Sequence, residues 1–152
     1  MSVVEIYDVG VAQYERGSPS NPQPYHWAIM LRKSVRDAWF YQIEGNSDCY
    51  GLSPFLLKHC FKKSGAYRGA IRIGAIEAND RPRFEEILRK VPIYRNRPDW
   101  NCQNWVVAAI ERLQAAGFLQ RDIVFSQQAL LNDLKDVEES WQTGQNVFGD
   151  EE

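Results

Sequence analysis

Histidine and cysteine are scarce in this chain of 152 residues: two histidines, His26 and His59, and three cysteines, Cys49, Cys60 and Cys102. No CxxC pair accompanies the histidines, which argues against a structural zinc site. Three unevenly spaced thiols make no disulfide framework, and an odd count fits a reducing compartment. No apolar run approaches membrane-spanning length, and no charged-then-apolar leader opens the chain. A soluble cytoplasmic protein without an integral membrane segment is therefore expected. No metal or organic cofactor is called for.

An excess of charge of either sign is also lacking, with a formal net charge of −2, but the distribution of charge is uneven. Eleven basic residues against four acidic ones lie between Lys58 and Arg97, while eight acidic residues and one lysine follow from Asp122 onward. Such runs read first as solvated surface. The basic segment carries aromatics but no nucleic-acid motif, so nucleic acid is not the expected partner.

What is present suffices for one domain with its own core. Residues 1–143 read as that domain and residues 144–152 as an acidic, flexible tail. The β-branched and aromatic segment 3–14 predicts a strand. Residues 17–24, with three prolines, predict an extended loop outside any central ladder. Residues 26–33 and 38–44 predict an antiparallel hairpin. Ser53-Pro54 predicts a helix reaching about residue 63, followed by a strand over 70–77 and a helix over 82–90. Asn101 caps a helix from Cys102 to about residue 116, with Trp105, Val106, Ala109, Ile110 and Leu113 on its buried face. A last helix begins near Ser126 and turns Leu130, Leu134, Val137 and Trp141 to one side. The fold class is α+β, a small antiparallel sheet packed on helices.

The informative pair within that frame is His26-Trp27-Ala28-Ile29 on a strand and Asn101-Cys102-Gln103-Asn104-Trp105-Val106 opening a helix. A cysteine at a helix start lies beside unpaired backbone N–H groups and the positive dipole end, which favour thiolate over thiol. The Cys102 N–H is placed to donate to an oxyanion. An imidazole within reach of the sulfur completes a nucleophile and base. Strand alternation puts His26, Ala28 and Met30 on one face. In an even register Gln42 or Glu44 then stands across from His26 and orients it, whereas an odd register puts Ile43 there. Tyr25 and Asn101 are candidate donors at the substrate.

These two motifs, in this order, resemble the lecithin–retinol acyltransferase-like proteins, members of the circularly permuted papain-fold thiol hydrolases and acyltransferases. Histidine precedes cysteine in that group, the reverse of papain's order. The resemblance spans roughly residues 3–118. It implies Cys102 as nucleophile, His26 as general base, and Gln42 at a third position often held by a second histidine; glutamine accepts an N–H bond but adds no charge, and Glu44 is its possible substitute. The C-terminal residues, acidic and polar, are not of the apolar kind that anchors the family's lipid enzymes, so an integral-membrane lipid acyltransferase is not expected.

The expected activity is a cysteine-dependent hydrolase or acyl/peptidyl transferase acting on an amide, ester or thioester. Its substrate is a peptide, a lipid ester or a small acyl metabolite, and the oligomeric state is left open. The alternatives are a weakened or inactive scaffold serving as a binding module, and a non-hydrolytic enzyme reusing the same pocket.

Overall fold

Alternation of apolar residues dominates the first third of the chain, and a long antiparallel hairpin results. In a computed structural model, which describes residues 4–18 and 20–142, β1 (Ile6–Ser18) pairs along most of its length with β2 (Asn21–Arg32). Short β3 (Ala38–Tyr41) continues the meander, β6 (Leu56–Lys58) adds to its free edge, and β7 (Tyr67–Glu77) closes the other side on β1. The sheet order is β6-β3-β2-β1-β7, and all its pairings are antiparallel. A two-stranded ribbon of β4 (Ile43–Glu44) and β5 (Gly51–Leu52) stands beside it. The fold is thus α+β, with three α-helices among the described residues: α1 (Arg81–Arg89), α2 (Cys102–Ala115) and α3 (Gln127–Gln142).

Period-two patterning gives the sheet two unlike faces. Val9, Val11, Trp27, Ile29, Leu31, Trp39 and Tyr41 face the helices and pack on Phe84, Leu88, Trp105, Ile110 and Leu134. The other face carries Ala12, Ala28, Met30, Phe40 and Ala70 under Phe61 and Tyr67, a smaller core with Tyr14 at its margin. Burial of one such large apolar side chain contributes about 1.5–3 kcal/mol, so the helix-covered face carries most of the stabilisation. Two bulges sit level with Tyr14. Between the pairs Tyr14–His26 and Arg16–Gln23, β2 has one residue more than β1. Between Ala12–Ala70 and Tyr14–Tyr67, β7 has the extra residue, with Gly69 at φ +98°. Gly69 also lets α3 approach closely, since a methyl group there would lie 2.5 Å from Val137 Cγ1.

Three expectations are corrected. Residues 53–63 form no helix: Leu56–Lys58 is strand β6, and Phe61–Lys63 is a single 3₁₀ turn. The open edge of β3 recruits the segment, and Pro54 suits an extended chain as well as a helix start. Residues 17–24 do not stay outside the ladder, because Pro22 pairs with Gly17 and Gln23 with Arg16. The paired residues of β3 reach only Ile29–Arg32, so the early part of β2 is an edge, where proline is tolerated. Finally, the strand predicted over residues 3–14 runs on to Ser18. The side chain of Trp141 and the segment 144–152 lie outside the described residues. No helix among those described is long and apolar enough to cross a membrane.

Candidate functional site

The start of α2 is built by a reciprocal cap. Asn101 is extended, its Oδ1 accepts from the Gln103 N–H at 2.9 Å, and Asn104 Oδ1 accepts from the Asn101 N–H at 2.8 Å. Asn101 is therefore occupied by the helix itself. Cys102 takes the first helical position, 3 % exposed, and its N–H has no acceptor among the described residues. The Arg16 guanidinium lies beside the thiol, Nη1 at 4.0 Å from Sγ. Tyr50 is close as well: burial raises its pKa, negative charge on Cys102 adds to the rise, and Arg16 opposes it. Nothing in the sequence around Arg16 marks this role, which depends on the hairpin end reaching across to α2.

His26 is held differently. The register is even, with Ile29 opposite Tyr41 and Met30 opposite Phe40, so Gln42 falls on the His26 face. Its Oε1 lies 2.5 Å from His26 Nε2. An amide oxygen accepts, so Nε2 carries the hydrogen and Nδ1 is left as the basic nitrogen, with no partner among the described residues. Burial lowers the His26 pKa below that of an ordinary imidazole; the Gln42 bond opposes this, and the charges of Arg16 and Lys58 add to it. Glu44 is exposed on β4 and makes no hydrogen bond to His26.

The direct contact expected between His26 and Cys102 is absent: no hydrogen bond joins them. The reason is the same alternation that placed Gln42. Trp27 points to the face covered by α2, so His26 points to the face of Ala28 and Met30, near Tyr14. Arg16 is the charged group that acts on both. Tyr25 turns toward α3, where its hydroxyl donates to Glu138; that bond, with burial, pushes its pKa up to about 12.

Much of the basic segment is used within the fold. Arg81, Arg83, Arg89 and Arg97 each lie over an aromatic ring, of Trp39, Phe118, Phe55 and Tyr94 respectively. Arg68 and Arg72 pair with Glu15 and Asp8. His59 is exposed and paired with Asp37. Among the described residues no group of His, Cys, Asp and Glu could hold a metal ion.

Comparison with curated proteins gives no match, and comparison with solved structures gives none. One family, DUF6540, described as a family of unknown function, matches residues 10–120, which include most of the hairpin, Arg16, His26, Gln42 and the whole of α2. With nearly three quarters of its length so matched, the chain belongs to the DUF6540 family.

Proposed function

We propose that this protein is a cysteine-dependent hydrolase or acyl/peptidyl transferase of permuted papain-like descent, with Cys102 as its nucleophile. The observation that carries the reading is the thiol at the first position of a fully capped helix, with its own N–H unused and a guanidinium at 4.0 Å. Both surroundings favour negative charge on sulfur. The Cys102 sulfur attacks the carbonyl carbon, and the C=O electron pair moves onto oxygen, toward the free Cys102 N–H. Collapse breaks the C–N, C–O or C–S bond, and the leaving group takes up a proton. Water or an acceptor amine or alcohol then attacks the thioester and returns the thiol. His26, its Nε2 fixed by Gln42 and Nδ1 unprotonated, is the group suited to carry those protons. Its separation from Cys102 means that transfer needs a side-chain rearrangement or a bridging water.

That separation favours a second reading, a binding module that has kept the scaffold but not the chemistry. Alkylation with iodoacetamide, followed by peptide mapping, decides between them. A thiol enzyme gives faster labelling at Cys102 than at exposed Cys49, despite its burial, and His26→Ala slows it. Labelling in order of exposure, indifferent to His26→Ala, assigns the protein to the second reading.

A further inference from the structure

A cavity of about 550 Å³ lies between the start of β2, the first turn of α2 and the flank of α3 that carries Gln128, Leu131 and Lys135. Gln103, the residue after Cys102, forms part of its wall: its amide donates to the Tyr25 carbonyl at 2.9 Å and accepts from Gln127 of α3 at 2.9 Å. The floor is the cross-strand pair Gln13 and Trp27, only 3 % and 1 % exposed. Gln13 spends both amide hydrogens on backbone carbonyls, of Arg68 at 2.9 Å and Leu134 at 2.8 Å. Those two bonds fix the orientation of the amide, and its Oε1 has no donor among the described residues. The Trp27 indole N–H likewise has no acceptor among them. Two buried side chains thus bring one unused acceptor and one unused donor, on directly opposed residues, to the same cavity. Neither atom is fully shut off from solvent, so both can be reached from the cavity, and a donor and an acceptor set this way in a pocket wall are groups that orient a small ligand. At the rim stands Lys135, without an ion pair among the described residues.

We propose that this cavity binds an N-acyl amino acid carboxylate, free or as the C-terminal residue of a peptide. In an extended residue the N–H and the carbonyl group point the same way. The ligand N–H donates to Gln13 Oε1, and its carboxylate accepts from Trp27 Nε1 and faces Lys135. Pro24 and Leu131 supply apolar surface for the side chain. The volume is ordinary for a small-ligand pocket. The proposal rests on the thiol-enzyme reading only in naming a substrate class for it; the binding itself requires no reaction at Cys102.

The test is titration of the Cys102→Ser protein, observed by NMR at the Trp27 indole and Gln13 amide signals, with four compounds: N-acetylalanine, N-acetyltrialanine, N-acetylalaninamide and N-acetyl-N-methylalanine. N-acetylalanine is expected to shift both signals. The amide binds up to about fivefold more weakly for loss of the charge, and the N-methyl compound about tenfold more weakly for loss of the donor. Lys135→Gln, at an exposed position, brings N-acetylalanine down to the level of the amide, and Trp27→Phe weakens both. Tighter binding of N-acetyltrialanine than of N-acetylalanine identifies a peptide end as the ligand; equal binding identifies the free acyl amino acid. Absence of shifts with all four, or an N-methyl compound that binds as well as its parent, overturns the proposal. Iodoacetamide labelling of the wild-type thiol is a separate measurement, so an inert Cys102 with a binding cavity, or the reverse, is distinguishable.

Discussion

Replacing Gln42 by glutamate puts a charge where the structure has an uncharged acceptor 2.5 Å from His26 Nε2. An opposite charge beside an ionisable group favours its charged form by about 1–3 pKa units, so protonated His26 gains about 1.4 kcal/mol or more over the wild type. Since 1.36 kcal/mol is a factor of ten, the imidazole's affinity for a proton rises about tenfold or more. Proton NMR reads this directly, because the chain has only two histidines, and exposed His59 supplies the reference signal. Stability gives a second readout. In the wild type the folded His26 pKa lies below the unfolded value of about 6.5, so the unfolded chain takes up the proton first. This contribution to stability is present above about pH 6.5 and is lost as pH falls through the folded value. Gln42→Glu removes or reverses that loss. A His26 titration that stays put, or moves to lower pH, would refute the reasoning, since it would mean that residue 42 does not hold the imidazole.

Other consequences are equally direct. Arg16→Leu slows iodoacetamide labelling of Cys102 at neutral pH about fivefold, because a charge at 4.0 Å in a solvent-screened setting is worth about 1 kcal/mol; an unchanged rate removes Arg16 from the site. Asn101→Ala lowers stability to urea by about 1 kcal/mol through loss of the cap. Gly69→Ala costs about 2–4 kcal/mol from positive φ and the approach to Val137. Adding Val137→Ala recovers the steric share but not the backbone share, as urea denaturation of the pair would reveal. Tyr41→Phe leaves nearly buried Glu85 with Arg81 as its remaining polar partner and destabilises by about 1–3 kcal/mol, measured the same way.

The parts of the fold legible in the sequence were those written in local patterns. Alternation through His26–Leu31 and Ala38–Tyr41 carried the strands but left their register open between even and odd, and the pairing of Ile29 with Tyr41 decides it and brings Gln42 to His26. Asn101 marked the start of α2; its end lies just before Gly117, at φ +86°, where Phe118 N–H donates to the Leu113 carbonyl. Residues 53–63 were misread because a Ser-Pro start is ambiguous until a neighbouring strand edge is known. The same holds for the site. Alternation also stated that His26 and Trp27 face opposite ways, but which face the cysteine helix would cover is a tertiary fact. Arg16, Gln13 and Gln103 acquired their roles only through contacts 55 to 121 residues away along the chain, or across the hairpin end. No window of sequence contains those pairings.

The two bulges flanking β1 at Tyr14 make the site depend on counting as well as on chemistry. Removing one residue from the stretch between Gln23 and His26 would regularise β2 and turn its first residues over relative to those that follow. Deletion of Pro24 would keep Tyr25, His26, Gln42 and Cys102 in place while turning Gln23, the partner of Arg16, and the residues before it to the opposite side. Variation of this protein by loss or gain of a single residue there is therefore a sharper instrument than substitution: it would separate the two halves of the constellation without altering one functional group.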